Sequence, residues 1–339
     1  MKILVTGGLG FIGSHTVVEL VNAGYEPVIV DDLSNSDPKI LDQIARIIGY
    51  KPVFHKLDLS VEQSVKELAI AEPDIEGIIH FAAFKAVGES VEKPLKYYRN
   101  NFYSLINLLE AYYGKSLNFV FSSSCTVYGQ PEQLPVTETA PIQPAQSPYG
   151  NTKQIAEEIL QDMVTSGSNY KVIALRYFNP VGAHETALIG ELPIGVPQNL
   201  VPFITQTAIG KREKITVFGN DYNTPDGSCV RDYIHVVDLA KAHVAALKLL
   251  EKPDFKGYDV FNIGTGQGNT VLGVIHAFER ATGVKVNYQI GPRRGGDVEQ
   301  VWGDVTKSTN KLGWKAQLGI DEMMSSAWDW EKYISQNPL

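Results

Sequence analysis

Four short apolar runs, Ile3 to Val5, Val28 to Val30, Val53 to His55 and Ile78 to Phe81, begin at positions 3, 28, 53 and 78, each 25 residues after the last. A strand, a crossover helix and their connections take about that length, so the spacing predicts parallel strands joined by helices. Further runs at Asn118 to Phe121, Val172 to Leu175 and Val260 to Ile263 extend the pattern. Unbroken apolar strands suit a sheet covered by helices on both faces, so the expected class is α/β with a doubly wound parallel sheet. Between the runs, helices are expected over Ser14 to Ala23, over Ser60 to Ala71 with Ser60 as cap ahead of Glu62 and Gln63, and over Asn151 to Met163. Past Asn179 the rhythm gives way to Gly- and Pro-rich stretches, Gly190 to Pro202 and Gly219 to Ser228, with one clear helix at Val237 to Leu250. That change predicts a large lobe over 1–180 and a smaller α/β lobe over 181–339, interleaved near the C-terminus, with a cleft between them.

The first strand runs straight into Gly7-Gly8-Leu9-Gly10-Phe11-Ile12-Gly13, placing glycines 7, 10 and 13 between a strand and a helix. In a dinucleotide site of the Rossmann type, the first glycine makes the tight turn and the second admits a pyrophosphate. The third lets helix and strand close together, with helix-start N–H groups facing the anion. Three glycines among 30 carry little weight alone. The weight comes from Asp31 and Asp32 at the end of the second strand, 18 and 19 residues past Gly13, where a carboxylate accepts bonds from ribose hydroxyls. A carboxylate there repels a 2′-phosphate, which favours NAD over NADP.

Tyr149 and Lys153 sit four positions apart at the start of a predicted helix and share a face. A lysine ammonium beside a phenol is expected to lower its pKa from about 10 and make it a usable base near neutrality. Ser122, Ser123 and Ser124 end the fifth apolar run, and strand carboxyl ends line the ligand crevice of such a sheet. Serine, tyrosine and lysine are therefore expected around one point beside the glycine turn. A sugar carbinol held there would lose its hydroxyl proton to Tyr149 and the hydride on its carbon to the cofactor.

These residues resemble the extended short-chain dehydrogenase/reductase family, and within it the UDP-glucose 4-epimerase family, along nearly the whole chain. The likeness rests on Thr6 to His15, His80 to Ala83 with Lys85 to Ser90, Tyr149 to Lys153, Arg176 to His184 and Asn199 to Phe203. It also rests on Thr216 to Gly219 with Asp221 and Tyr222, and on Asp226 and Gly227 with Val230 to His235. The segments Arg176-Tyr177-Phe178-Asn179-Pro180 and Val230-Arg231-Asp232-Tyr233-Ile234-His235 are the ones specific to the epimerases. The resemblance implies tightly held NAD used catalytically to interconvert UDP-galactose and UDP-glucose at sugar C4 through a 4-keto intermediate. It implies Tyr149 as acid/base, Ser124 bonded to the reacting 4-oxygen, and Lys153 on the nicotinamide ribose. Alongside Gly7, Gly10 and Gly13, the dinucleotide would be lined by Phe11, Ile12, Asp31, Asn35, Asp58, Leu59, Phe81, Ala82, Ala83, Lys85, Asn100 and Phe178. The nucleotide sugar would be held by Asn179, Asn199, Leu200, Phe218, Arg231, Tyr233, Arg294, Asp297 and Val301, the two arginines with paired donors for a pyrophosphate.

Two positions depart from the family pattern. Cys125 stands where a small residue, commonly alanine, follows the third serine, and is read as packing. Val301 stands where members limited to glucose and galactose carry a tyrosine, so room for an acetamido group, and hence use of UDP-GlcNAc and UDP-GalNAc, is expected. The aromatic run from Tyr97 to Tyr113 is apolar on more than one helix face; it predicts a core helix, and with the resemblance a homodimer contact.

Composition narrows the partners. Lys plus Arg is 30 against 38 Asp plus Glu, a net charge of −8, which makes nucleic acid an unsuitable partner. Two cysteines, Cys125 and Cys229, make no disulfide scaffold, and no apolar run approaches the roughly 20 residues that span a bilayer, so a cytoplasmic protein without membrane contact is expected. Seven scattered histidines offer no ligand pair, so no metal is expected. Two rival functions share the fold: a nucleotide-sugar 4,6-dehydratase, and a non-catalytic NAD-binding sensor. Dehydratases usually place an acidic pair where this chain has Cys125 and Thr126, and a sensor has no use for Tyr149 with Lys153.

Overall fold

The computed structural model describes residues 1–295 and 298–338. In chain order the first elements are β1 (Lys2–Thr6), α1 (Phe11–Asn22), β2 (Glu26–Asp31), α2 (Lys39–Ile48), β3 (Val53–Lys56), α3 (Glu62–Ala71) and β4 (Ile75–His80). There follow α4 (Val87–Glu92), α5 (Pro94–Ala111), β5 (Leu117–Ser124), a 3₁₀ turn at Cys125–Tyr128, α6 (Pro148–Thr165), β6 (Tyr170–Tyr177) and β7 (Asn179–Val181). The remainder is α7 (Leu200–Ala208), β8 (Ile215–Phe218), β9 (Val230–His235), α8 (Val236–Leu250), β10 (Tyr258–Ile263), β11 (Gly268–Thr270), α9 (Val271–Thr282), β12 (Tyr288–Gly291), β13 (Gln300–Val301) and α10 (Ile320–Gln336).

Seven strands form one parallel sheet in the order β10-β6-β5-β4-β1-β2-β3. The central strands β1, β2, β4, β5 and β6 are buried on both faces, as their lack of alternation predicts, whereas the edge strand β3 is partly exposed. Ile3, Val5, Ile79, Val120 and Ile173 face one core with α1 and α8; Leu4, Ile78, Phe119, Phe121 and Val172 face the other with α5 and α6. Because all seven strands run the same way, Thr6, Asp31, His80, Ser124 and Tyr177 end together on one edge. Late in the chain, α8 packs on α1 and β10 extends the same sheet beside β6.

A smaller sheet is centred on β9, with β11 antiparallel to it and β7 and β13 parallel. It packs with α7, α9 and α10 over a core that includes Ile204, Tyr233, Phe278 and Met324. Among the described residues no helix is long and apolar enough to cross a membrane.

The helix starts differ from expectation for local reasons. Helix α1 begins at Phe11, directly after the glycine turn, three residues before Ser14. Ser60 caps nothing: its N–H bonds the Asp58 carboxylate at 2.8 Å, and α3 begins at Glu62 behind Val61. Helix α6 begins at Pro148, whose fixed φ suits a first turn, with the Ser147 hydroxyl accepting the Gly150 N–H at 3.1 Å.

Candidate active site

The turn from β1 into α1 is packed to the limit of backbone contact. Gly7 adopts φ +67°, a conformation side chains disfavour, and accepts the Gly10 N–H at its carbonyl at 3.1 Å. A Cβ added at Gly13 would lie 2.2 Å from that same carbonyl oxygen. The N-cap of α1 is Gly10, so no side chain covers the start of the helix, which leaves a backbone cradle of the right kind for a pyrophosphate. Asp31 is buried at the end of β2; its carboxylate accepts from the Leu9 N–H at 3.1 Å, the Leu33 N–H at 3.0 Å and the Ser36 hydroxyl at 2.7 Å. Burial raises its pKa, and the three donors oppose that rise. The acid is thus tied to the glycine turn, the arrangement NAD requires, and these residues fit that cofactor.

On the far side of the turn, the Phe81 N–H bonds the Thr6 carbonyl at 3.1 Å, and Ala82 approaches the space above Gly7. Ala83 follows in the same loop. Phe11 and Ile12 form the first turn of α1. Asn35 is exposed in the loop after β2, and Asp58 is exposed after β3 beside Leu59, which is buried and bonded through its carbonyl to Asn107 at 2.8 Å. Asn100 donates to the Asn101 side chain at 3.1 Å, and Asn101 ties Phe84 to Thr152 of α6.

Ser124, Tyr149 and Lys153 do come together at the carboxyl end of β5. Ser124 lies close enough to the Tyr149 phenol to favour its ionised form, and its own hydroxyl accepts the Thr126 N–H at 3.2 Å. Lys153 Nζ lies 5.9 Å from the Tyr149 ring centre and 2.7 Å from the Ser122 carbonyl oxygen. Side chains alternate along a strand, so Ser122 and Ser124 share one face. Ser122 bonds Tyr177, and Ser123 points to the other face and bonds Glu157.

The expected lowering of the phenol is not what this environment produces. Burial pushes Tyr149 above its ordinary value of 10, while the neighbouring Ser124 hydroxyl opposes the rise. The same burial brings Lys153 from 10.5 down to about 7, so near neutrality its positive charge is only partly present to act on the phenol.

The remaining residues line the far side of the strand edge. Phe178 is buried under Gly264 and Gly303. Asn179 on β7 pairs with Tyr233 on β9, and Arg231 pairs with Val301 on β13. Arg231 and Asp232 lie close enough to Cys125 to perturb it in opposite directions, and burial drives that thiol up to about 12, which fits a packing role. Val301 is buried in an apolar cluster with Val127, Tyr128, Val136 and Phe178. Arg294 lies over the Phe218 ring, its guanidinium carbon 5.4 Å from the centroid, at a more exposed rim. Asp297 lies outside the described residues. Asn199, just ahead of Leu200 at the start of α7, donates to Glu191 at 2.5 Å, and Lys85 Nζ lies 3.8 Å from the same carboxylate.

Two acids escaped the sequence reading. Glu191 bridges residues far apart in the chain, and no local pattern marks it. Glu157 is one turn beyond Lys153 on the same face of α6, so carrying the helix face further would have found it.

The parallel sheet, the glycine turn tied to a buried acid and the Ser124–Tyr149–Lys153 set on one edge define a dinucleotide-dependent enzyme of the extended short-chain dehydrogenase/reductase class. A family model described as GDP-mannose 4,6 dehydratase matches residues 4–327. The curated UDP-glucose 4-epimerase of Yersinia pestis is 48% identical over 340 residues, covering 100% of this chain and 98% of its own. The crystal structure of UDP-glucose 4-epimerase from Stenotrophomonas maltophila with bound NAD and formylated UDP-arabinopyranose superimposes with a TM-score of 0.95 at 46% identity, covering 99% of each chain. That from Bifidobacterium longum in complex with NAD+ and UDP gives 0.93 at 45%, covering 100% of this chain and 99% of its own. The chain belongs to the broad family described by that dehydratase model and, within it, to the UDP-glucose 4-epimerase family, whose members are isomerases. The dehydratase description does not extend to the site, where the positions after Ser124 are Cys125 and Thr126 rather than acids.

Proposed function

We propose that this protein interconverts UDP-galactose and UDP-glucose by epimerising sugar C4 with NAD as a resident cofactor. The observation that carries the reading is the meeting of Ser124, Tyr149 and Lys153, with Lys153 Nζ 5.9 Å from the Tyr149 ring centre, on the strand edge that also bears the glycine turn and Asp31. NAD, when bound, supplies the acceptor for the C4 hydride and the donor that returns it. Gly7, Gly10 and Gly13 with the start of α1 hold the pyrophosphate, and Asp31 holds a ribose. Tyr149 Oη takes the proton of the sugar 4-hydroxyl and later returns it to the 4-keto oxygen presented from the opposite face, with Ser124 Oγ bonded to that oxygen. Lys153, brought by burial to about 7, stands beside the phenol with its amine half of the time neutral at that pH.

Residues 1–180 with α8 and β10 would hold the dinucleotide, and the rest of 181–339 the UDP-sugar, through Asn179, Asn199, Leu200, Phe218, Arg231, Tyr233, Arg294 and Asp297. Val301 leaves space for an acetamido group, which extends the substrates to UDP-GlcNAc and UDP-GalNAc. A homodimer is supported by Val91, Leu95 and Tyr103, which stand exposed on α4 and α5. A cytoplasmic location accords with two free cysteines.

The test is to incubate the purified protein with UDP-galactose, without added cofactor, and follow C4 configuration by proton NMR. Conversion to UDP-glucose is expected. Free NADH accumulating only after NAD is added marks an ordinary dehydrogenase instead, and an unchanged sugar under both conditions refutes the reading.

A further inference from the structure

The residues that would touch the sugar come from two elements, Ser124 from β5 and Tyr149 with Lys153 from α6, so their geometry depends on how strand and helix are fastened. The fastening is a buried ionic knot. Glu157, two turns beyond Tyr149 on α6, accepts the Ser123 hydroxyl at one oxygen. It is gripped from β6 by Arg176, whose Nε donates at 3.0 Å to one carboxylate oxygen and Nη2 at 2.6 Å to the other. Tyr258 of β10 lies close enough to feel the same carboxylate, whose charge raises its phenol. Ser123 is wholly buried, and Glu157 and Arg176 are nearly so.

Ser123 and Arg176 are register partners on β5 and β6, so one carboxylate clamps two adjacent strands to the catalytic helix. Ser123 is also flanked by the two positions that matter: the Ser122 carbonyl, which takes Lys153 Nζ, and Ser124, which lies beside the Tyr149 phenol. A slip of α6 along β5 therefore moves both contacts at once, and a misplacement of about 1 Å is enough to cost on the order of a hundredfold in rate. The apolar contacts of Ala156 and Leu160 with Phe119 and Phe121 hold the helix on the sheet but, being non-directional, do not fix its register to that tolerance.

We propose that Glu157, acting through Ser123 and braced by Arg176, is a positioning residue that sets the Ser124–Tyr149–Lys153 geometry without touching the substrate. The inference rests on the epimerase reading above. Glu157 also opposes the effect of burial on Lys153, which favours the lysine's charged form.

Because Glu157→Gln leaves Arg176 buried and unpaired and risks misfolding, the decisive variant is Ser123→Ala, which removes one hydroxyl and leaves the ion pair intact. Expected is a fall in kcat for UDP-galactose of about tenfold or more, with KM, bound NAD and melting temperature close to wild type. A crystal structure of the variant should show Ser124 Oγ drawn away from Tyr149 Oη. Wild-type kcat overturns the proposal. So does a fall in kcat matched by loss of NAD and of melting temperature, which marks a purely structural role. Should the wild-type protein itself leave UDP-galactose unchanged, the epimerase reading fails, and the variant's structure alone decides: an unmoved Ser124–Tyr149 pair overturns the positioning role, and a separated pair supports it.

Discussion

Gly13→Ala is the sharpest test of the cofactor cradle, because the cost of one methyl group there follows from the geometry. The new Cβ would sit 2.2 Å from the Gly7 carbonyl oxygen and 2.8 Å from the Gly8 Cα. The first of these is about 1 Å inside ordinary contact, and both neighbours are backbone, so no flexible side chain can yield; overpacking of this kind costs about 1–3 kcal/mol. Gly13 lies within α1, so alanine also returns up to about 1 kcal/mol of helix propensity. The clash wins by about 1–2 kcal/mol, enough to lower the melting temperature by a few degrees in a protein of this size. Relief requires α1 to back away from β1 by about 1 Å, which carries the helix-start N–H groups out of hydrogen-bonding range of a pyrophosphate. Bound NAD after gel filtration, read from the absorbance of the denatured supernatant, is expected to fall to less than about a tenth of wild type. Melting with and without added NAD separates the intrinsic loss of stability from the lost ligand contribution. A variant with full NAD and an unshifted melting temperature refutes the reasoning.

Tyr149→Phe should keep its NAD and its melting temperature while losing nearly all turnover; a variant retaining most of its rate shows that the proton moves elsewhere. Asp31→Ala removes the acceptor for Leu9, Leu33 and Ser36, so NAD retention on gel filtration should drop together with stability, by about 0.5–1.5 kcal/mol per lost bond; undiminished NAD counts against its ribose role. Burial holds His15 and His80 at about 3 and His235 and His243 at about 4, against 6.5 for an unperturbed histidine. Their contribution is therefore fully present above pH 6.5 and lost as pH falls through that window, where the unfolded chain binds protons the folded one refuses. Urea midpoints measured from pH 7 to pH 4 should fall steeply, and less steeply for His80→Gln; identical slopes would remove His80 from the account. Val301→Tyr should reduce turnover of UDP-GlcNAc far more than that of UDP-galactose, by a factor of about 10–200, and equal effects on both substrates would end the acetamido proposal.

The large sheet was legible because its chemistry is local. Ile3, Leu4 and Val5 are all buried, two facing one core and one the other, so the strand appears in the sequence as an unbroken run. Its boundaries were less legible where strands end in polar residues that serve the site, as at Thr6 and Ser122 to Ser124. In the smaller sheet, β7, β11 and β13 have two or three residues each, too few to show any period, and they exist only through pairing with β9. Helix α10 did carry a signal, since Met323, Met324, Ala327, Trp330 and Ile334 recur at helical spacing on its buried side. Glu191 joins Lys85 and Asn199 across segments that no window of sequence holds together.

The phenol shows where spacing stops being informative. Tyr149 and Lys153 were correctly placed as neighbours, but spacing says nothing of how much water surrounds them. Burial disfavours the charged form of each, so it raises the tyrosine and lowers the lysine for the same reason. The neutral pair, phenol with amine, and the ion pair, phenolate with ammonium, nearly match at the ordinary values of 10.0 and 10.5, and burial shifts the balance towards the neutral pair. For a one-way dehydrogenase a strongly acidified tyrosine would serve best, because it acts only as a base. An epimerase asks the same atom to be a base in the first half-reaction and an acid in the second, with substrate and product nearly equivalent. A phenol acidified by a permanent ammonium is ionised and ready to accept a proton, yet it holds that proton less firmly. A buried pair in which Lys153 titrates near 7 keeps Tyr149 protonated, the form the second half-reaction needs, so the first half-reaction asks the site to favour the phenolate as the sugar 4-hydroxyl gives up its proton.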